Sequence, residues 1–315
     1  MLSVRRGVTY RALAVGAAAV TGLTVIGVQG AQAGQVAKAP PPLVTYNNNI
    51  ENMVPHSCSG DRFDRLLNYL KSRPKSPDVF TVQQISNTRQ LTDFTKRLSD
   101  LLPGTYAGRI AIGSPGSMGY TSRCGKLKNQ QTNAVIYRTD RLVPKSSTTW
   151  RSDAPKGGSG PCRNLTPTKT SQDRVQNIAV RFQDKSAGRD VTVASIHWPT
   201  KKWNGPDCAS ENIKEANEAV DRLGGSLKIV AGDANVAVSH GSWWNKARGY
   251  GFRDPIAEKC GSRDCSTKHN TCGKRRIDVM LVKHTGGFSN AATITDSMTG
   301  GSYSNHKAVT AYVKY

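Results

Sequence analysis

The chain has 315 residues, 37% of them hydrophobic, and its 44 Lys and Arg outnumber 22 Asp and Glu for a formal net charge of +22. That length holds one large domain or two modest ones, and the absence of any bilayer-spanning apolar stretch beyond residue 33 excludes a polytopic membrane protein. A charge this positive favours an anionic partner (nucleic acid, acidic lipid or cell-wall polymer), while a purely solubilising or adhesive role stays open.

From the N terminus, Arg5 and Arg6 precede the apolar run "ALAVGAAAVTGLTVIGV", which ends at Ala31-Gln32-Ala33. This layout predicts a secretory signal over 1–33, cut after Ala33, and hence a secreted, extracellular protein. The arginine pair hints at twin-arginine export without fixing the route. Removing residues 1–33, with three arginines and no acid, leaves 282 residues and a charge of +19. A Pro-rich lead over 34–42 reads as a linker, and no second linker or internal repeat follows, so 43–315 is expected to be one domain.

Within it, "LVTY" (43–46) reads as a strand. "DRFDRLLNYLKS" (61–72) carries Phe63, Leu66, Leu67 and Leu70 at helical spacing, with Pro74 just beyond its end. "DVFTVQQI" (78–85) is a strand, "LTDFTKRLSDLL" (91–102) a helix and "NAVIYRT" (133–139) a strand. "NIAVRFQD" and "DVTVASIHW" flank the short connection "KSAGR" as an antiparallel hairpin, whose second arm puts Val191, Val193, Ser195 and His197 on one face. A helix through Ile213, Ala216, Val220 and Leu223 stops at Gly224-Gly225, and "SLKIVAGDAN", "RRIDVMLVK" and "HKAVTAYVKY" complete the strands. Hairpins interrupted by helices argue for antiparallel or mixed sheets covered by helices, not a TIM barrel or a Rossmann unit.

Seven cysteines (Cys58, Cys124, Cys162, Cys208, Cys260, Cys265 and Cys272) suit an exported chain with up to three disulfides and one thiol left over. Cys260, Cys265 and Cys272 could form a metal knuckle with His269. Without a paired C-x-x-C, local disulfides are the favoured alternative.

Chemically capable residues recur at strand ends: Asn47, Gln84, His197, Asp233 with Asn235, Asp278, and Asn305 with His306. Gly232 lets the backbone turn before Asp233 and Asn235, which sit two apart and so can share a face. A turn is the plain explanation of Gly-Asp-Ala-Asn taken alone. Converging on one sheet edge, the whole set would supply two imidazoles, two carboxylates and several amides, the equipment for hydrolysing a phosphodiester.

The series resembles the endonuclease/exonuclease/phosphatase superfamily, the fold of deoxyribonuclease I, over most of the chain after the signal. "TYNNN", "PDVFTVQQI", "ASIHWPT", "AGDANV", "RRIDVML" and "SNHKAV" follow that family's motifs in order and spacing. The resemblance implies an α+β fold, a four-layer β-sandwich of two mixed, mainly antiparallel sheets flanked by helices. It also implies a site at one edge that uses Mg²⁺ or another divalent cation. His197, Asp233, Asn235, Asp278 and His306 would be catalytic, with Asp278 paired to His306. Asn47 would lie near metal and phosphate, and Arg174 in "QDRVQNIAVRF" would bind phosphate.

Three departures stand out. Gln84 occupies the place of the family's strand-end glutamate, the principal metal ligand, and Asn305 that of the aspartate before the last histidine. Gln131, on a looser alignment, replaces a glutamate supporting the first histidine. Neutral amides hold a hard cation more weakly than carboxylates do. Three outcomes follow: a loosely held cation needed at high concentration, a cation-free reaction balanced by Arg174 and neighbouring Lys and Arg, or lost catalysis with binding retained.

Basic residues flank the candidate strands. Lys201 and Lys202 follow His197, with Trp198 and Trp203 interleaved, and Lys274, Arg275 and Arg276 lead into Asp278. Lys201, Lys202, Arg275 and Arg276 therefore join the expected phosphate contacts. The favoured reading is a secreted, monomeric nuclease acting on DNA or RNA, with no stable membrane insertion. One alternative is a sphingomyelinase-like phospholipase C, for which Trp243 and Trp244 in "GSWWNK" offer a membrane-contacting loop, although adjacent tryptophans are more often core or rim. Another is a catalytically impaired nucleic-acid-binding protein.

Overall fold

The computed structural model describes residues 39–52, 62–116, 130–152, 176–200, 206–265 and 267–315. The expected signal segment lies outside them. Strands β1 (Leu43–Asn49), β2 (Val79–Ile85), β3 (Tyr106–Ile110), β4 (Thr132–Arg138), β10 (Gly287–Thr293) and β11 (Val309–Lys314) form a six-stranded sheet in the order β10-β11-β1-β2-β4-β3. Strands β5 (Leu142–Arg151), β6 (Gln176–Asp184), β7 (Arg189–His197), β8 (Leu227–Asp233) and β9 (Asp278–Lys283) form a five-stranded sheet in that order. Among the described strands, only β1–β2 and β7–β8 pair in parallel, so both sheets are mixed and mainly antiparallel.

The period-2 alternation of each strand sorts its side chains between two cores. On the outer face of the six-stranded sheet, Val44, Tyr46, Phe80, Val82 and Ile136 pack against α1 (Arg62–Lys71) and α2 (Thr88–Leu101). Both helices bury the apolar stripe expected from sequence, and Asn87 caps α2 by accepting the Gln90 N–H. The intervening residues Leu43, Val79, Val135, Val193, Ile229, Met280 and Val309 interdigitate between the sheets. On the far face, Ala194, Ile196, Val230 and Leu281 meet α3 (Ala209–Leu223) and α4 (Trp243–Gly249). A short α5 (Pro255–Cys260) follows, capped by Asp254. The result is four layers: helices, sheet, sheet, helices.

Between the sheets the layer changes character along its length. β7 reads Val191, Val193, Ser195, His197 toward its carboxyl end; β8 reads Leu227, Ile229, Ala231, Asp233; β1 reads Leu43, Thr45, Asn47, Asn49. Along these three strands the inner face is therefore apolar at one end and polar at the other. That gradient places the site.

Gly232 acts differently from its expected role as a turn residue. It lies within β8, and a Cβ there would come 1.9 Å from the Ile196 carbonyl oxygen. Close approach of two strand ends is what requires glycine at this position. The strands without a sequence signature are β3, β5 and β10, all at sheet edges. With one side open to solvent they need no apolar alternation, and β5 is largely exposed.

Candidate active site

Ladder pairing brings the strand-end residues together. β7 and β8 place His197 opposite Asp233, and β8 and β9 place Asp233 opposite Asp278. Three chemically active side chains thus stand in one row across adjacent strands, all on the inner face and all essentially buried. His197 Nε2 lies 3.5 Å from Asp233 Oδ2. His306, from the segment entering β11, brings Nδ1 to 3.1 and 3.0 Å from the two Asp278 oxygens and to 3.7 Å from Asp233 Oδ2.

Burial by itself pulls the His306 pKa down. The Asp278 and Asp233 carboxylates, with hydrogen bonds to Asp278 and Cys272, outweigh it and hold the imidazole well above its ordinary 6.5. His306 is therefore an imidazolium at neutral pH. Asp278 occupies its Nδ1–H, which leaves Nε2–H as the proton to offer.

Neighbouring groups fix these side chains. The His197 N–H donates to Asn177 Oδ1 at 2.9 Å, and Thr271 Oγ1 accepts the N–H groups of Ile277 and Asp278 at 3.0 and 2.9 Å. Asp233 Oδ1 accepts the Asn235 N–H at 2.8 Å while Oδ2 accepts Asn49 Nδ2 at 3.0 Å. Asn235 has φ 53°, in the left-handed region that asparagine tolerates, and donates Nδ2 to the Trp198 carbonyl at 2.7 Å. So Gly-Asp-Ala-Asn is a turn and part of the site at once. Its amide N–H closes an Asx turn on Asp233, and the Asp233 carboxylate still faces both histidines.

Several expected site residues stand elsewhere. Asn47 points between the sheets, where its Oδ1 accepts Thr81 Oγ1 at 2.8 Å and Gln83 Nε2 at 3.0 Å, so it belongs to a buried polar network. Its neighbour on the same face, Asn49, is the one that reaches Asp233. Arg276, 3% exposed, is a structural cation: Nη1 pairs with Asp254 at 2.8 Å and its guanidinium stacks 5.3 Å from the Trp244 ring centroid. Arg275, next to it, is exposed. Gln131 Nε2 lies 3.5 Å from Asn52 Oδ1. Trp243 and Trp244, the first residues of α4, are buried edge-on to each other, with Trp243 also edge-on to Trp198, which removes them as a membrane-contacting loop. Cys260 and Cys265 form a disulfide and Cys272 is a free thiol. Cys208 is disulfide-bonded, and Cys58, Cys124, Cys162, Arg174, Lys201, Lys202 and Trp203 lie outside the described residues.

Gln84 ends β2, and Asn305 stands beside His306. Gln84 has φ 57°, and its buried Oε1 has no hydrogen-bond partner among the described residues. Asn305 is exposed, and its Nδ2 donates to Glu51 Oε1 at 3.0 Å. Sequence reasoning passed over Glu51 and Asn49. For Asn49 the available signal was β1's own alternation, which puts 45, 47 and 49 on one face; Glu51 follows the strand in a left-handed turn.

The donor set can be tested against a divalent cation. Asp233, Asp278 and His306 bring potential ligand atoms within 4.8 Å of one another, His306 serving as one only when its ring is neutral. Two carboxylates suit a hard cation. No described helix is long and apolar enough to cross a membrane.

No protein-family model matches the sequence, and no curated protein matches it. Solved structures do. The human Nocturnin catalytic domain with bound sulfate is 15% identical, with 87% of this chain and 96% of that one covered at a TM-score of 0.61. An endonuclease/exonuclease/phosphatase family protein from Leptotrichia buccalis is 15% identical, with 87% and 100% covered at 0.61. TDP2 from D. rerio, complexed with a single-stranded DNA product, is 14% identical, with 87% and 99% covered at 0.58. Two mixed sheets flanked by helices, with polar strand ends gathered at one edge of the sandwich, give this chain the endonuclease/exonuclease/phosphatase fold.

Proposed function

We propose that the protein is a secreted phosphodiesterase that hydrolyses nucleic acid. One observation carries this reading: His197, Asp233 and Asp278 stand in a row on three paired strands, and His306 is seated on Asp278.

Each group has a role that its surroundings permit. Asp233, between the two histidines, orients the attacking water and takes up its proton. His306, held as imidazolium by Asp278, faces the phosphoryl oxygens with positive charge and offers Nε2–H to the leaving oxygen. His197, anchored through its own N–H, adds a second imidazole on the opposite side of Asp233. A divalent cation held by Asp233 and Asp278 would offset charge on the phosphate.

The polyanion preference rests on exposed basic residues next to this row. Lys274 and Arg275 are exposed, and Arg275 pairs through its backbone with Cys272, which itself bridges to His306. On a chain of formal charge +22 they form a basic rim beside the candidate histidine.

The test is to incubate the full chain with plasmid DNA, RNA and sphingomyelin, each with Mg²⁺, Mn²⁺ or EDTA. Nucleic-acid cleavage abolished by His197→Ala or His306→Ala supports the reading. Headgroup release alone, or salt-sensitive retention of nucleic acid without cleavage, would replace it with a sphingomyelinase-like phospholipase C or a binding protein respectively.

A further inference from the structure

Glu51 lies just past β1 and is only 8% exposed. Its carboxylate is fully engaged: Oε2 accepts the Asn305 N–H at 2.8 Å and Ser304 Oγ at 3.0 Å, and Oε1 accepts Asn305 Nδ2 at 3.0 Å. Glu51 and Asn52 have φ 47° and 61°, so the chain leaves β1 through two consecutive left-handed residues. Non-glycine residues persist there only where the surroundings hold them.

From Glu51 two short paths of hydrogen bonds run to the candidate site, one from its carboxylate and one from its main-chain N–H. Toward His306, Ser304 Oγ lies against Glu51 and accepts the His306 N–H at 3.1 Å, while Asn48 Nδ2 donates to the His306 carbonyl at 2.8 Å. Toward Asp233, the Glu51 N–H donates to Asn49 Oδ1 at 3.1 Å, and Asn49 Nδ2 donates to Asp233 Oδ2. The tip of β1 thus grips both main-chain sides of His306 and one oxygen of Asp233.

This contact accounts for the amide at position 305. A carboxylate there would face Glu51 Oε1 across the 3.0 Å now bridged by an N–H donor. Two carboxylates that close cannot both ionise without a large penalty. One negative charge serves both positions, and Glu51 carries it.

We propose that Glu51 is a positioning residue for the hydrolysis, setting His306 over Asp278 through Ser304 and Asn305 and setting Asp233 through Asn49. The proposal rests on the phosphodiesterase reading above. Asn305 is then the complement of a carboxylate relocated onto β1, not the scar of a lost ligand.

A double-mutant cycle on the full chain tests it, with bis(4-nitrophenyl) phosphate and supercoiled plasmid as probes. Glu51→Gln turns an N–H₂ group toward donors, and Asn305→Asp sets two carboxylates against each other. Each single change is expected to lower kcat roughly tenfold to a hundredfold, as loss of an orienting partner does, with KM within about threefold. The double variant Glu51→Gln with Asn305→Asp restores one carboxylate and one amide, and should recover most of the lost kcat. The His306 Nδ1–H proton resonance, assigned by its absence in His306→Ala, should broaden in each single variant and return in the double.

Glu51→Gln at wild-type kcat with an unchanged His306 resonance would overturn the proposal. So would a double variant no better than its worse parent. Should Glu51→Gln fail to fold, Asn305→Asp and the double variant still decide it. If His306→Ala keeps full turnover, the hydrolysis reading fails instead. The His306 resonance then tests the Glu51 contact by itself.

Discussion

The two ends of the inter-sheet layer each bury carboxylates around a cation, and they do opposite things with them. At the closed end, Arg141 pairs with Asp78 at 2.6 Å and with Asp184 at 2.7 Å, and donates to the Pro41 and Pro42 carbonyls. Tyr315 Oη also donates to Asp184 at 2.6 Å. Burial still lifts the Asp78 carboxyl above its ordinary 3.8, but both acids have near-ideal partners. At the open end, Asp233 has two imidazoles at 3.5 and 3.7 Å, too distant for good hydrogen bonds, and His306 keeps Nε2–H to spend. Saturated charge closes the sandwich. Unsaturated charge leaves capacity for a substrate.

His306→Ala should break the comparison most sharply. Removing a positioned acid is expected to cut kcat on nucleic acid by roughly 10²–10⁴, with a smaller loss of stability than Arg141→Met because one carboxylate, Asp278, loses its close partner instead of two. Equal loss of stability would make His306 a structural residue like Arg141.

Arg141→Met is the mirror experiment. It strands Asp78 and Asp184 without their cation, which should cost about 3–5 kcal/mol in a denaturant titration and leave kcat per folded molecule intact. A large fall in kcat with stability preserved would erase the distinction between the ends.

How much of this was legible beforehand follows the same division. His197, Asp233, Asp278 and His306 could be read because each ends or enters a strand whose alternation fixes its face. "NNN" defeated that logic, since three identical residues offered no marker and the choice fell on Asn47 when Asn49 reaches Asp233. Arg275 and Arg276 were indistinguishable as a basic run, because their opposite fates depend on Asp254 and Trp244, remote in sequence. Glu51 lay beyond a strand in a left-handed turn, where neither period 2 nor period 3.6 applies. Edge strands β3, β5 and β10 were invisible for want of a second buried face.

A subtler contrast lies in pH. His306 is raised in the folded state, so its contribution to stability is fully present below the unfolded value near 6.5 and is lost as pH rises through the folded pKa. In chelator-treated protein, NMR titration should place the His306 midpoint above 6.5, and Asp278→Asn should bring it down because burial then acts with one carboxylate fewer. A wild-type midpoint below 6.5 would mean that burial wins and that the imidazole is neutral at the pH of the reaction.

The smallest expected effect separates the two adjacent arginines. Exposed Arg275 can reach a phosphate and release its counterions, so Arg275→Ala should lower the slope of log affinity against log salt for duplex DNA by about 0.9. Arg276, committed to Asp254 and stacked on Trp244, has no charge to lend. Arg276→Met should therefore leave that slope unchanged and show its cost in the unfolding midpoint, through the Asp254 carboxylate it abandons. If both variants change the slope alike, the DNA track crosses a surface on which Arg276 is bared, and the buried pairing with Asp254 must open when nucleic acid binds.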